Sequence, residues 1–144
     1  MNEFMSIALE EARLSLQEGG IPIGSVLVLN NKIIGRGHNR RVQNSDPLAH
    51  AEIECIRQAG RIGSYSNVIL YSTLMPCYFC SGAIVQFGIE KVVVGESRTF
   101  RGDLEFLKDH WVEVKDLDLD ECIELMEEFI KKNPTLWNED IGNL

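Results

Sequence analysis

Two short stretches of the chain hold residue types that can act on one another. His50-Ala51-Glu52 sets an imidazole two residues from a carboxylate, and Pro76-Cys77-Tyr78-Phe79-Cys80 sets two thiols three apart behind a proline. Thiolates and a neutral imidazole are zinc ligands. Three of them leave a tetrahedral ion with one open corner for water, whereas a closed structural site takes a fourth. On a helix, positions three apart point the same way, so Cys77 and Cys80 offer their sulfurs together. A helix N-terminus favours the thiolate, and Pro76 suits that spot because its missing N–H has no helical partner to lose. Two thiolates and an imidazole cancel the formal charge of Zn²⁺, so water there needs a base beside it. Glu52 fits that role rather than that of a ligand. A redox CxxC is the rival reading, but it wants a thioredoxin-like arrangement and leaves His50 and Glu52 unexplained.

The other candidates are plainer. Cys55 falls on the apolar side of its expected helix and Cys122 near the start of the last amphipathic helix, and both read as small buried residues. His38 precedes Asn39 in an expected turn, and His110 ends a short helix. Neither has another ligand type beside it in sequence.

The elements that must carry the two stretches follow from periodicity. Met5, Ala8, Leu9, Ala12 and Leu16 recur at three- and four-residue steps, predicting a helix over 3–18 that Gly19-Gly20 stops. Two β-branched runs around Asn30-Asn31 predict a hairpin. "RRVQNSDP" reads as a polar loop, "AHAEIECIRQAG" as a helix ended by Gly60, and "NVILYST" as a strand buried on both faces. A third helix over "CYFCSGAIVQFG", a buried strand "KVVVGE", a short helix "DLEFLKDH" and a strand "WVEV" come next. An amphipathic helix "DECIELMEEFIKK" precedes a tail that begins at Pro134. Strands alternating with helices imply a layered α/β domain, with parallel pairing among the later strands and an antiparallel hairpin at the edge.

Composition excludes several classes. A chain of 144 residues with 44% hydrophobic and 25% charged residues suits one globular domain, read here as spanning 1–144. No apolar run is long enough to span a membrane, and the acid-rich start is unlike a signal peptide, so a cytoplasmic location with reduced thiols is expected. A net charge of −8 makes nucleic acid an unfavourable partner, and Arg36, Arg40 and Arg41 read as a solvated loop.

The motif "HAE" followed by "PCYFC" resembles the H-x-E and P-C-x-x-C signature of zinc-dependent nucleobase deaminases. Over nearly its whole length the chain is similar to the cytidine and deoxycytidylate deaminase superfamily, and within it to the small free-base cytosine deaminases of the fungal type. The stretches "GRGHNRR", "HAEIECI", "YSTLMPCYFCSGAIVQFGIEKVVVGE" and "NPTLWNEDIG" carry that likeness.

The resemblance implies a three-layer α/β/α sandwich around a mixed five-stranded sheet, one catalytic Zn²⁺ on His50, Cys77 and Cys80, and Glu52 as proton shuttle. It implies hydrolysis of free cytosine to uracil and ammonia, with water on zinc as nucleophile, in a homodimer serving pyrimidine salvage. Asn39 matches the pyrimidine-binding amide, Asp140 the base-binding carboxylate, Trp137 the aromatic that closes over substrate, and Ile23 and Phe100 the apolar walls. Ala51, Leu74 and Met75 complete the expected pocket. Met75 stands where the fungal family has serine and Phe79 where it has methionine, and the loop around Phe100 differs too, which bears on substrate breadth. A carboxylate at N1 accepts a hydrogen from free cytosine and meets a sugar in a nucleoside, so Asp140 favours the free base. Guanine and tRNA-adenosine deaminases are rivals within the superfamily. A non-catalytic zinc module is the rival outside it, and an intact Glu52 argues against that.

Overall fold

The computed structural model describes residues 2–143. Helix α1 runs Glu3–Gln17, capped by the Asn2 side chain, which accepts from the backbone N–H groups of Phe4 and Met5. Its buried face includes Met5, Ala8, Leu9 and Ala12 of the expected stripe, whereas Leu16 near the helix end is exposed. Strands β1 (Gly24–Leu29) and β2 (Lys32–His38) form the expected hairpin. Asn30 and Asn31 both take positive φ, 52° and 64°, the twist that a two-residue connection between antiparallel strands needs.

Beyond the hairpin come a single turn, α2 (Arg41–Asn44), then α3 (Ala51–Ala59), β3 (Val68–Ser72) and α4 (Tyr78–Phe87). The chain continues through β4 (Lys91–Val94), α5 (Leu104–Asp109), β5 (Glu113–Asp116), α6 (Asp120–Lys132) and α7 (Pro134–Asp140). The five strands make one sheet in the order β2-β1-β3-β4-β5. β1 pairs antiparallel with β2 and β3, while β3–β4 and β4–β5 are parallel. Side-chain alternation along the strands splits the core in two. Leu27, Leu70, Val92 and Val94 face Cys55 of α3, Ile84 of α4 and Leu107 of α5. Val26, Val28, Tyr71 and Val93 face Met5 and Ala8 of α1. The fold is thus the three-layer arrangement around a mixed sheet that the sequence suggested.

Close approach between layers is set by glycine. A Cβ built on Gly35 of β2 would run into the Cys55 carbonyl oxygen, so α3 lies against the sheet only because that side chain is absent.

Several expectations need correction. The tail, for which the sequence predicts no element, is helical: Pro134 starts α7, and Trp137 packs into a cluster with Met126 and Phe129 of α6. The polar loop contains α2. The last strand begins at Glu113 rather than Trp111, which sits in a left-handed turn with φ 65° and is solvent-exposed. His38 is no turn residue. It ends β2, buried, with Glu11 and Glu18 carboxylate oxygens each 2.8 Å from one ring nitrogen. Nor do the three arginines form one solvated loop. Arg36 lies in β2 on Glu11, and Arg41 begins α2 with a side chain only 11% exposed.

Candidate active site

Chemistry in such sheets gathers where parallel strands end and helices begin. β3 runs straight into the turn that starts α4, and the strand after it is tied to the same corner: Gly95 N–H donates to Ser72 O at 2.8 Å, and Met75 N–H to Glu96 O at 3.0 Å. His50 is the N-cap of α3 and Cys77 the N-cap of α4. Neither side chain caps its own helix. They turn toward each other instead, with Cys77 Sγ 3.5 Å from His50 Nδ1.

Cys80 completes the group: the candidate ligand atoms of His50, Cys77 and Cys80 all lie within 4.8 Å of one another. Ligands at about 2.0–2.1 Å (N) and 2.3 Å (S) on a tetrahedral ion stand about 3.6 Å apart. The observed imidazole–thiol spacing has that size, so the trio fits zinc.

Ionisation in the cluster runs against habit. Cys77 is drawn down to about 4, first by the hydrogen bond from Cys80 and then by His50, against the opposing pull of burial. Cys80, sharing its proton with Cys77 and fully buried, is pushed well up. Burial pulls the His50 imidazole down, but the Cys77 sulfur outweighs it and the net direction is up. Glu52 is fully enclosed, and burial, reinforced by the Cys77 charge, drives its carboxyl up to about 7. Burial likewise raises Asp140, opposed by His50 and Arg41.

A narrow cavity opens against this group. His50, Glu52 and Cys77 form one side, Leu74 and Met75 line it from the turn after β3, and Ile23 and Asn39 line it from the two ends of the hairpin. Phe100, Trp137 and Asp140 close it. Phe100 and Trp137 meet edge to face with centroids 5.7 Å apart. Ala51 is not on the cavity wall: fully buried, it packs with Ile21, Leu74 and Trp137 at the start of α3.

The amide of Asn39 has a fixed orientation. Its Oδ1 accepts from the Arg41 backbone N–H at 3.0 Å, and its carbonyl is held by Ser15 Oγ at 2.6 Å and Gln43 Nε2 at 3.1 Å. The segment carrying Phe100 is anchored by buried Glu96, whose carboxylate accepts from the N–H groups of Arg98 and Thr99. Sequence reasoning missed Glu96, Gln43 and Arg41. Only Arg41 offered a signal, being one of two arginines directly after Asn39.

The fold and the trio define a candidate catalytic zinc centre at the end of a parallel strand. The family described as "Cytidine and deoxycytidylate deaminase zinc-binding region" matches residues 1–96. A cytosine deaminase of Candida albicans is 43% identical over 141 residues, covering 96% of this chain and 94% of that protein. A tRNA-specific adenosine deaminase of Buchnera aphidicola is 37% identical over 139 residues, covering 89% and 92%. Among solved structures, one from a study of A-to-I editing by tRNA:A34 deaminases superposes with a TM-score of 0.77 at 34% identity, covering 85% of this chain and 97% of its own. A guanine deaminase structure from Nitrosomonas europaea shares the fold with a TM-score of 0.74 at 20% identity, covering 88% and 82%. This chain belongs to the cytidine and deoxycytidylate deaminase family, and zinc is its cofactor.

Proposed function

We propose that the protein is a free-base cytosine deaminase: water adds at C4 of cytosine, the C4–amine bond breaks, and uracil and ammonia leave. One observation carries the reading. Two buried polar atoms of cavity-lining residues, Asn39 Nδ2 and Asp140 Oδ1, make no hydrogen bond of good geometry among the described residues, although the Asn39 amide lies near enough to the Asp140 carboxylate to help hold its acidity. Asp140 Oδ1 has an ion-pair neighbour in Arg41 at 3.3 Å, but not in hydrogen-bonding geometry. Unpaired buried groups of this kind cost about 1–3 kcal/mol each, so they point to a ligand that pairs them. The ligand must bring an acceptor for the amide and a donor for the carboxylate. Free cytosine has them on neighbouring ring positions, O2 and N1–H. In a nucleoside the N1 hydrogen is replaced by the sugar.

Within this reading the 144 residues act as one catalytic domain. Zinc, when held by His50, Cys77 and Cys80, supplies a Lewis acid that makes water a better nucleophile. Glu52, buried beside the trio, takes a proton from the attacking water and delivers it to ring N3, then carries the proton of the added hydroxyl to the departing amine. Ile23, Leu74 and Phe100 press on the ring faces and exclude solvent, Trp137 closes the cavity, and Met75 lies beside the amine. Ala51 acts from behind, seating the start of α3. A cytoplasmic location and a role in pyrimidine salvage belong to the same reading. A second copy of the chain is the proposed partner, because Tyr78, Phe79 and Phe87 of α4 are exposed together on one side of the molecule.

The rival is a tRNA-adenosine deaminase, favoured by the identity to such enzymes. Against it stands the net charge of −8, unfavourable for a polyanionic substrate. Zinc-loaded protein offered cytosine, cytidine, guanine and adenosine-containing tRNA in parallel should consume cytosine, followed by ultraviolet absorbance or product analysis. Turnover of guanine or tRNA with cytosine untouched overturns the assignment.

A further inference from the structure

We propose that Arg41 is a positioning residue for base recognition, one that locks the donor and the acceptor of the cavity in a fixed relation. The inference rests on the reading of Asn39 and Asp140 as base contacts. Two parts of Arg41 reach the two sides. Its backbone N–H holds Asn39 Oδ1 at 3.0 Å, which turns Nδ2 toward the Asp140 side of the cavity. Its guanidinium Nη1 stands 3.3 Å from Asp140 Oδ1, with side chains 11% and 4% exposed respectively.

The remaining nitrogens tie the fork down: Nε donates to the Pro47 carbonyl at 3.4 Å, and Nη2 lies 4.0 Å from Glu139. One residue of α2 thereby joins the hairpin side of the cavity to α7, about a hundred residues further along the chain. The guanidinium also keeps a positive charge beside a carboxylate that burial alone would disfavour. Because Nη1 is in ion-pair range without hydrogen-bonding geometry, it steadies Asp140 while leaving Oδ1 available to a ring N–H. A lysine ammonium is a single point and cannot span Pro47, Glu139 and Asp140 at once.

The test is steady-state kinetics of Arg41→Gln and Arg41→Lys beside wild type, with zinc content measured on each. Arg41→Gln should raise KM about tenfold with kcat within about threefold and full zinc, as loss of one charge-assisted contact to the ground state and transition state alike predicts. Arg41→Lys should lie between, with KM raised about threefold. In the Asp140→Ala background, Arg41→Gln should add less than its effect in wild type, since both act through one carboxylate.

A wild-type KM in zinc-replete Arg41→Gln overturns the proposal, as does full additivity with Asp140→Ala. Should Arg41→Gln fail to fold, the lysine variant decides: a wild-type KM there overturns it. The wild-type control separates the two claims. Absence of cytosine turnover sinks the substrate assignment, and the Arg41 comparison is then made on whichever of guanine or tRNA the wild type deaminates.

Discussion

Glu52 and Cys77 exchange their usual order of acidity. A carboxyl with an ordinary value of 4.5 rises to about 7, and a thiol with an ordinary value of 9.0 falls to about 4. At pH 6 the metal-free site therefore holds a thiolate beside a protonated carboxyl. The sign is direct: Cys77 loses its nucleophilic form only as pH falls through about 4, whereas Cys122, pushed up to about 12 by burial, stays a thiol throughout. Iodoacetamide at pH 6, read by peptide mass spectrometry, should label Cys77 in chelator-treated protein and spare Cys55, Cys80 and Cys122. Added zinc should abolish the labelling. Equal modification of all four, or reaction at Cys77 that waits until pH 9, contradicts this ordering. The ligand trio was legible because helix-turn spacing and a proline are local facts written in the chain. The burial of Arg41 was not, because it depends on Asp140 arriving from the far end of the sequence, and a charge run read alone looks solvated.

At the scale of elements, the site depends on how closely α3 approaches β2. An alanine methyl at Gly35 would meet the Cys55 backbone, which cannot yield as a side-chain end could. Gly35→Ala should cost about 1–3 kcal/mol in urea unfolding, the range for forced overpacking. Because α3 starts at the N-cap His50, the variant should also bind zinc more weakly, measurable by competition with a chromogenic chelator. Full stability with unchanged zinc affinity would show that the layers have slack. Periodicity located α1, α6 and the hairpin with little error, since each presents several repeats of one pattern. It failed on α7. Seven residues give two turns, too few for a period to declare itself, and a helix that short is held by Trp137 among α6 side chains rather than by its own propensity. The start of β5 was missed for a related reason: Trp111 has the residue type of a strand and the φ of a turn.

At the scale of the whole molecule, the exposed aromatic side of α4 is the feature that asks for a partner. Phe79 on that side stands edge-on to the His50 ring at 5.3 Å, so whatever covers it also backs the metal site. Sedimentation equilibrium should find a dimer, and Phe87→Glu, which sets a charge in the apolar patch, should shift it toward monomer at micromolar concentration. A wild-type chain that sediments as a monomer at every concentration would remove the second copy. No helix among the described residues is long and apolar enough to cross a membrane, so this patch is not one face of such a span.

The two tryptophans of the chain sit in opposite surroundings, Trp111 89% exposed at a turn and Trp137 5% exposed in the cavity wall. Their fluorescence therefore separates by colour and by access. Iodide quenches the red-shifted emission of the exposed indole and spares the blue-shifted one. What survives the quencher is a built-in optical reporter of cavity filling, with no label attached.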